Sequence, residues 1–241
     1  MLPPAFDPLE HIPDLDSREE ILDWLESGEG YRKIRETRFL DAGEVVSFTW
    51  AEAQAASRVA APSLNRFVLA TLLADWACYA NAADREGHAH LQTVVAAFPQ
   101  GFRLWMARVR ERCVPVGYTG FHPIAKATFS LMRDAPERIT SRTQIASEQA
   151  STSAHNYYYL FNIGIVKQLQ GTDASRALVK ALAMDLASTP KRGLAAIVIS
   201  PDGKRVVERF GLRQSGCITH AGQREIAYVG ESDVEENSCR A

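Results

Sequence analysis

Residues 157–186 read YYYLFNIGIVKQLQGTDASRALVKALAMDL, and two periodicities meet in them. Residues 157–166 are nearly all apolar, aromatic or β-branched, the pattern of a strand covered on both faces. Ala174, Ala177, Leu178, Ala181 and Leu182 then recur at helical spacing, with Arg176 and Lys180 off their stripe. Between the two lies Gln170-Gly171-Thr172-Asp173-Ala174-Ser175, small and hydrogen-bonding residues that open the helix. The first amides of a helix have no partner within it and point outward with the positive end of its dipole. A strand, a small turn and a helix therefore predict a cradle for phosphate. Gly164, in mid-strand, predicts a bulge or the close approach of another backbone or a ligand.

Working outward, 241 residues suffice for one large domain with extensions. Residues 1–44 read as an N-terminal arm and helix and 45–230 as the main domain, with an insertion at about 122–156. Residues 231–241 read as an acidic, solvated tail. A formal charge of −2 leaves no global basic field, so no nucleic-acid partner is expected. The start MLPPAFDPLEHIPDLDS has neither a cationic nor an apolar leader region, and no window reaches membrane-spanning length. These features predict a cytoplasmic protein with no membrane partner. Cys78, Cys113, Cys217 and Cys239 are widely spaced with no CxxC pair, so neither a metal site nor a disulfide framework is expected.

Ser17 followed by Glu20 is a capping-box pattern for a first helix that ends at Gly28. A strand at 45–50 and a helix at 51–60 come next. Ser63 then caps a long helix over 64–86, closed by Gly87, and a short helix follows at 90–98. Residues 102–109 and 114–121 have hairpin spacing around a polar turn. Residues 122–156 show only fragments of pattern. After the decisive helix come a buried strand at 193–200, a short helix at 201–210, and strands at 213–219 and 225–229.

In this order, and over about residues 45–229, the elements resemble the GNAT superfamily of acyl-CoA-dependent N-acyltransferases. LFNIGI, a glutamine-led turn and RALVKAL resemble its signature strand–turn–helix. RVVERFGLRQSG resembles its second signature, and RLWMARVRERCVPVGYTGF its second and third strands. The resemblance implies an α+β (α/β) fold: a mixed, mostly antiparallel sheet flanked by helices, with its fourth and fifth strands splayed around acetyl-CoA or another acyl-CoA. It implies that the backbone of Ile163, Gly164 and Ile165 pairs with the pantetheine arm. Gln170, Gly171, Thr172, Asp173, Ala174, Ser175 and Arg176 would carry the pyrophosphate. The implied reaction moves an acyl group, acetyl first, to an amine of a small molecule or peptide.

The chain also departs from the family's turn, which is Gln/Arg, two residues, Gly, one residue, then Gly or Ala. Starting at Gln170 puts Asp173 and Ser175 on the glycine positions; starting at Gln168 puts Gly171 and Asp173 there. Asp173 reads equally as part of an anion turn, its charge offset by Arg176 and Lys180, and as the N-cap of an ordinary core helix. Where relatives place a tyrosine acid this chain has Val207, and where they place a glutamate base it has Ser200. Tyr157 or Tyr159, Glu148 or His155, and His220 are the candidate replacements. A catalytically degenerate GNAT-fold binding module is the alternative reading, and a homodimer through the N-terminal helices stays open beside either.

Overall fold

The computed structural model describes residues 9, 11–27, 44–56, 63–109, 112–145 and 156–231. Seven strands pair in the order β1-β2-β3-β4-β5-β7-β6. They are β1 (Val45–Thr49), β2 (Phe102–Val109), β3 (Arg112–Pro123), β4 (Tyr157–Ile165), β5 (Gly193–Val198), β6 (Arg213–His220) and β7 (Gln223–Glu231). The β4–β5 pair is parallel, whereas β1–β2, β2–β3, β5–β7 and β6–β7 are antiparallel. The expected mixed, mostly antiparallel sheet is present. By contacts the chain divides into two compact units, residues 1–120 with 162–182, and residues 121–161 with 183–241.

In the first unit the Ser17 hydroxyl accepts from the Glu20 amide and donates to its carboxylate, and helix α1 (Arg18–Ser27) starts there. The expected end of that helix at Gly28, residues 28–43 of the N-terminal arm and residues 232–241 of the acidic tail lie outside the described residues. Helix α2 (Trp50–Ala56) follows β1 directly. Helix α3 (Leu64–Cys78) is capped by Ser63, as its sequence predicts, and is buried without a break from Phe67 to Asp75. That run is apolar apart from Thr71 and Asp75, as expected of a helix covered on all sides.

The structure corrects the end of α3, which stops at Cys78 rather than near Glu86. Asp75 takes the Glu86 amide at 2.7 Å, the Trp76 indole donates to the Glu86 carbonyl, and Arg85 donates to the Tyr79 carbonyl. The chain thus folds back over the helix end, and Asn81 caps a 3-10 turn at Ala82–Asp84. Gly87 opens helix α4 (His88–Ala97) instead of closing α3. In the hairpin, β3 starts at Arg112 and runs to Pro123, beyond the expected 121. Its register against β2 slips between Trp105 and Met106, which are opposite Gly117 and Pro115, so Val116 is a bulge residue.

In the second unit the insertion is more ordered than its sequence suggests. Helix α5 (Lys126–Asp134) buries Phe129 and Met132 in a core with Ile124, Ile139, Tyr159, Ala195, Ile218 and Ala227. Nine residues carry too little periodicity to announce such a helix among Ser, Thr and Arg. Gly193 lies against the Phe129 ring, where a Cβ would come within 2.6 Å of it. Helix α6 (Asp173–Ala187) begins in the first unit, and helix α7 (Pro201–Arg209) belongs to the second.

Candidate active site

Among the described residues β4 pairs with β5 from Tyr157 opposite Gly193 to Leu160 opposite Ala196, and β4 itself runs on to Ile165. The Tyr157 carbonyl accepts from Ile124, just past β3, and the Val166 amide donates to Val116 of β3. In an unbroken strand, backbone groups face one edge at every second residue, so positions separated by nine residues face opposite edges. Alternation is therefore broken once along β4. Counting back from Val166, the Ile165 backbone faces away from β3 and that of Gly164 faces it, in keeping with the closeness of the Gly164 carbonyl oxygen to Gly117.

Gly164 does mark a close approach, and Gly117 is its partner. A Cβ on Gly117 would lie 2.5 Å from the Gly164 carbonyl oxygen and 3.0 Å from the Ile165 Cα. Only glycine at 117 lets β3 and β4 come together at that level. Beyond Ile165 the chain makes a 3-10 turn at Lys167–Leu169, and the Gln170 side-chain amide donates back to the Ile165 carbonyl at 3.2 Å. Gly171 takes φ of 76°, a left-handed conformation that L side chains rarely adopt.

The Arg176 amide donates to the Thr172 carbonyl, so Thr172 holds the N-cap position of α6. Among the described residues the amides of Asp173, Ala174 and Ser175 make no hydrogen bond, as the first turn of a helix requires. Asp173 is therefore not the N-cap. Its carboxylate is 97 % exposed and turns to the Arg176 guanidinium at 2.5 Å, while Arg176 also donates to the Gly171 carbonyl. A cation one turn along the helix outcompetes the helix amides for that carboxylate, and leaves them open.

Beside this stretch stands a polar cluster around Asp75 that the sequence analysis does not single out. The Asp75 carboxylate is buried on α3 and takes the Tyr118 hydroxyl at 2.7 Å, the Asn162 side-chain amide at 3.2 Å and the Glu86 amide at 2.7 Å. Tyr79 in turn donates to the Asn162 side-chain oxygen at 2.8 Å. Burial, and then the Asp75 charge, push the Tyr118 hydroxyl well above the usual tyrosine range. The same two causes hold the thiol of Cys78, whose sulfur lies beside Gly164, well above its ordinary value. The available signal was a lone carboxylate within an apolar helical stripe.

The catalytic candidates are scattered. Tyr159 is 4 % exposed, and its ring packs on His122 with centroids 5.5 Å apart. Tyr157 lies on the Phe129 ring. Ser200 caps α7 by accepting from the Gly203 amide, and Val207 is buried on that helix. His220 accepts from the Arg142 amide at the end of β6. Glu148 and His155 lie outside the described residues.

No protein-family model matches the sequence, nor does any curated protein. Solved structures do match. The loading GNATL domain of CurA from Lyngbya majuscula aligns with a TM-score of 0.55 at 11 % identity, over 78 % of this chain and 98 % of that one. The GphF GNAT-like decarboxylase in complex with isobutyryl-CoA gives 0.51 at 12 % identity, over 78 % and 99 %. The NatC complex bound to Gag peptide and CoA gives 0.51 at 6 % identity, over 79 % and 99 %. The strand order, the parallel β4–β5 pair and these likenesses define the class: this chain has the GNAT fold. It is a divergent example, since its identity to these three structures is 12 % or less.

Proposed function

We propose that the chain binds an acyl-CoA, acetyl-CoA first, along the second half of β4 and transfers the acyl group to an amine of a small molecule or peptide. The observation that carries this reading is that, among the described residues, the β4–β5 pairing ends at Leu160 while β4 continues to Ile165, and three amides at the start of the next helix, those of Asp173, Ala174 and Ser175, are open. The Ile163, Gly164 and Ile165 backbone would take the pantetheine amides, and residues 171–176 the pyrophosphate, with Gln170 holding the turn to the strand. The GphF and NatC structures hold isobutyryl-CoA and CoA on the same fold. In the transfer, the amine nitrogen attacks the thioester carbonyl, the C–N bond forms and the C–S bond breaks. The amine loses one proton and the CoA sulfur gains one.

Incubating the protein with acetyl-CoA and a panel of amines should release CoA thiol only when an amine is present. The Asp173 carboxylate opposes pyrophosphate but is exposed and paired with Arg176, so its effect is small. Asp173→Asn is expected to tighten acetyl-CoA binding about two- to fourfold at low salt, a gain that fades as salt rises. Titration calorimetry at two salt concentrations checks this, and weaker binding would show that the carboxylate belongs to the cradle.

The alternative, a binding module without catalysis, draws support from Ser200 serving as a helix cap and Val207 being buried. Acyl-CoA binding with no thiol release across the amine panel would establish it.

A further inference from the structure

Three side chains at the start of α6 are of the kind that covers the first amides of a helix, and each is engaged elsewhere. The Thr172 hydroxyl donates to the Leu169 carbonyl at 2.6 Å, and the Ser175 hydroxyl donates to the Thr172 carbonyl at 2.8 Å. The Asp173 carboxylate is held by Arg176, whose Nε and Nη2 both reach its Oδ1, at 3.2 and 2.5 Å. The third guanidinium nitrogen is tied down as well, since Nη1 donates to the Gly171 carbonyl at 3.1 Å.

Of the three side chains only the carboxylate is charged, so the positive end of the helix dipole draws it most strongly. Elsewhere in this chain a side chain left free does close its helix: Ser63 and Ser200 each accept from an amide of the helix they precede. Among the described residues Arg176 is the one cation bonded to Asp173. Loosening Arg176 therefore turns the carboxylate onto the amides, where it occupies the donors and repels a diphosphate.

We infer that Arg176 is a positioning residue: it latches Asp173 away from the first turn of α6, and the chain's own carboxylate covers those amides once the latch is undone. The inference rests on the acyl-CoA reading for its ligand, while the latch itself is open to test in the ligand-free chain.

The test uses the full chain, Arg176→Ala, Asp173→Ala and the double variant. In the ligand-free proteins, amide hydrogen exchange followed by NMR should slow at least about threefold at Ala174 and Ser175 in Arg176→Ala, and return to the wild-type rate in the double variant. In titration calorimetry at low salt, Arg176→Ala should weaken acetyl-CoA binding about tenfold, the sum of a cap gained and an ion pair lost. The double variant should bind within about twofold of wild type, so Asp173→Ala tightens binding more in the Arg176→Ala background than in the wild type. Exchange rates that Arg176→Ala leaves unchanged, or an Asp173→Ala effect on Kd of the same factor in both backgrounds, overturn the inference and leave acyl-CoA binding standing. Absence of acetyl-CoA binding in wild type and variants alike removes the acyl-CoA reading, and the exchange rates then decide the latch by themselves.

Discussion

Asp75→Ala is expected to cost about 3–5 kcal/mol of stability, the range seen when one partner of a buried polar network is deleted. The carboxylate takes bonds from Tyr118, Asn162 and Glu86, on β3, β4 and the segment after α3. Alanine would leave all three donors without this acceptor. In a chain of this length the loss lowers Tm by about 10 °C. Asp75→Asn, which keeps one acceptor oxygen, should fall by less than half of that. Thermal and urea melts of the two variants decide the matter. A decrease below about 2 °C for the alanine variant would mean the cluster holds nothing together.

The second large effect is expected at Gly117. Its added Cβ would meet two backbone atoms of β4, the Gly164 oxygen at 2.5 Å and the Ile165 Cα at 3.0 Å, and backbone does not yield as a side-chain end does. Gly117→Ala should therefore cost about 3 kcal/mol, the upper end of overpacking, and lower Tm by roughly 6–12 °C. Function should suffer beyond stability. The strands can separate only by displacing Ile163–Ile165, so acetyl-CoA affinity should fall at least tenfold at a temperature where the variant is fully folded. An unchanged Kd in a folded variant would show that this part of β4 does not touch the ligand.

The decisive strand, turn and helix were legible because the signals agreed. A continuous apolar run, a glycine in mid-strand, a small turn and a 3.6-residue stripe all pointed one way, and β4 and α6 formed where they said. Periodicity alone misplaced the end of α3, because Trp76 and Tyr79 continue its apolar side while Asn81 and the side-chain bonds of Asp75 and Arg85 terminate it. The bonds of Arg85 and Asp75 close over 6 and 11 residues, a distance that helical periodicity does not record. The same non-locality hid the cluster: Asp75, Tyr118 and Asn162 come together only once α3, β3 and β4 are assembled. Asp173 illustrates the opposite case. A residue type favoured as a cap lost that role to Thr172 because Arg176 offered its carboxylate a stronger partner.

The central claim is that an acyl-CoA lies on β4 with its pyrophosphate at the start of α6. The most direct measurement is a thermal-shift titration of the purified chain with acetyl-CoA, CoA and isobutyryl-CoA. A ligand at 100 times its Kd stabilises by about 2.7 kcal/mol, so a rise in Tm of roughly 5–10 °C is predicted. No rise with any of the three at millimolar concentration would contradict the account.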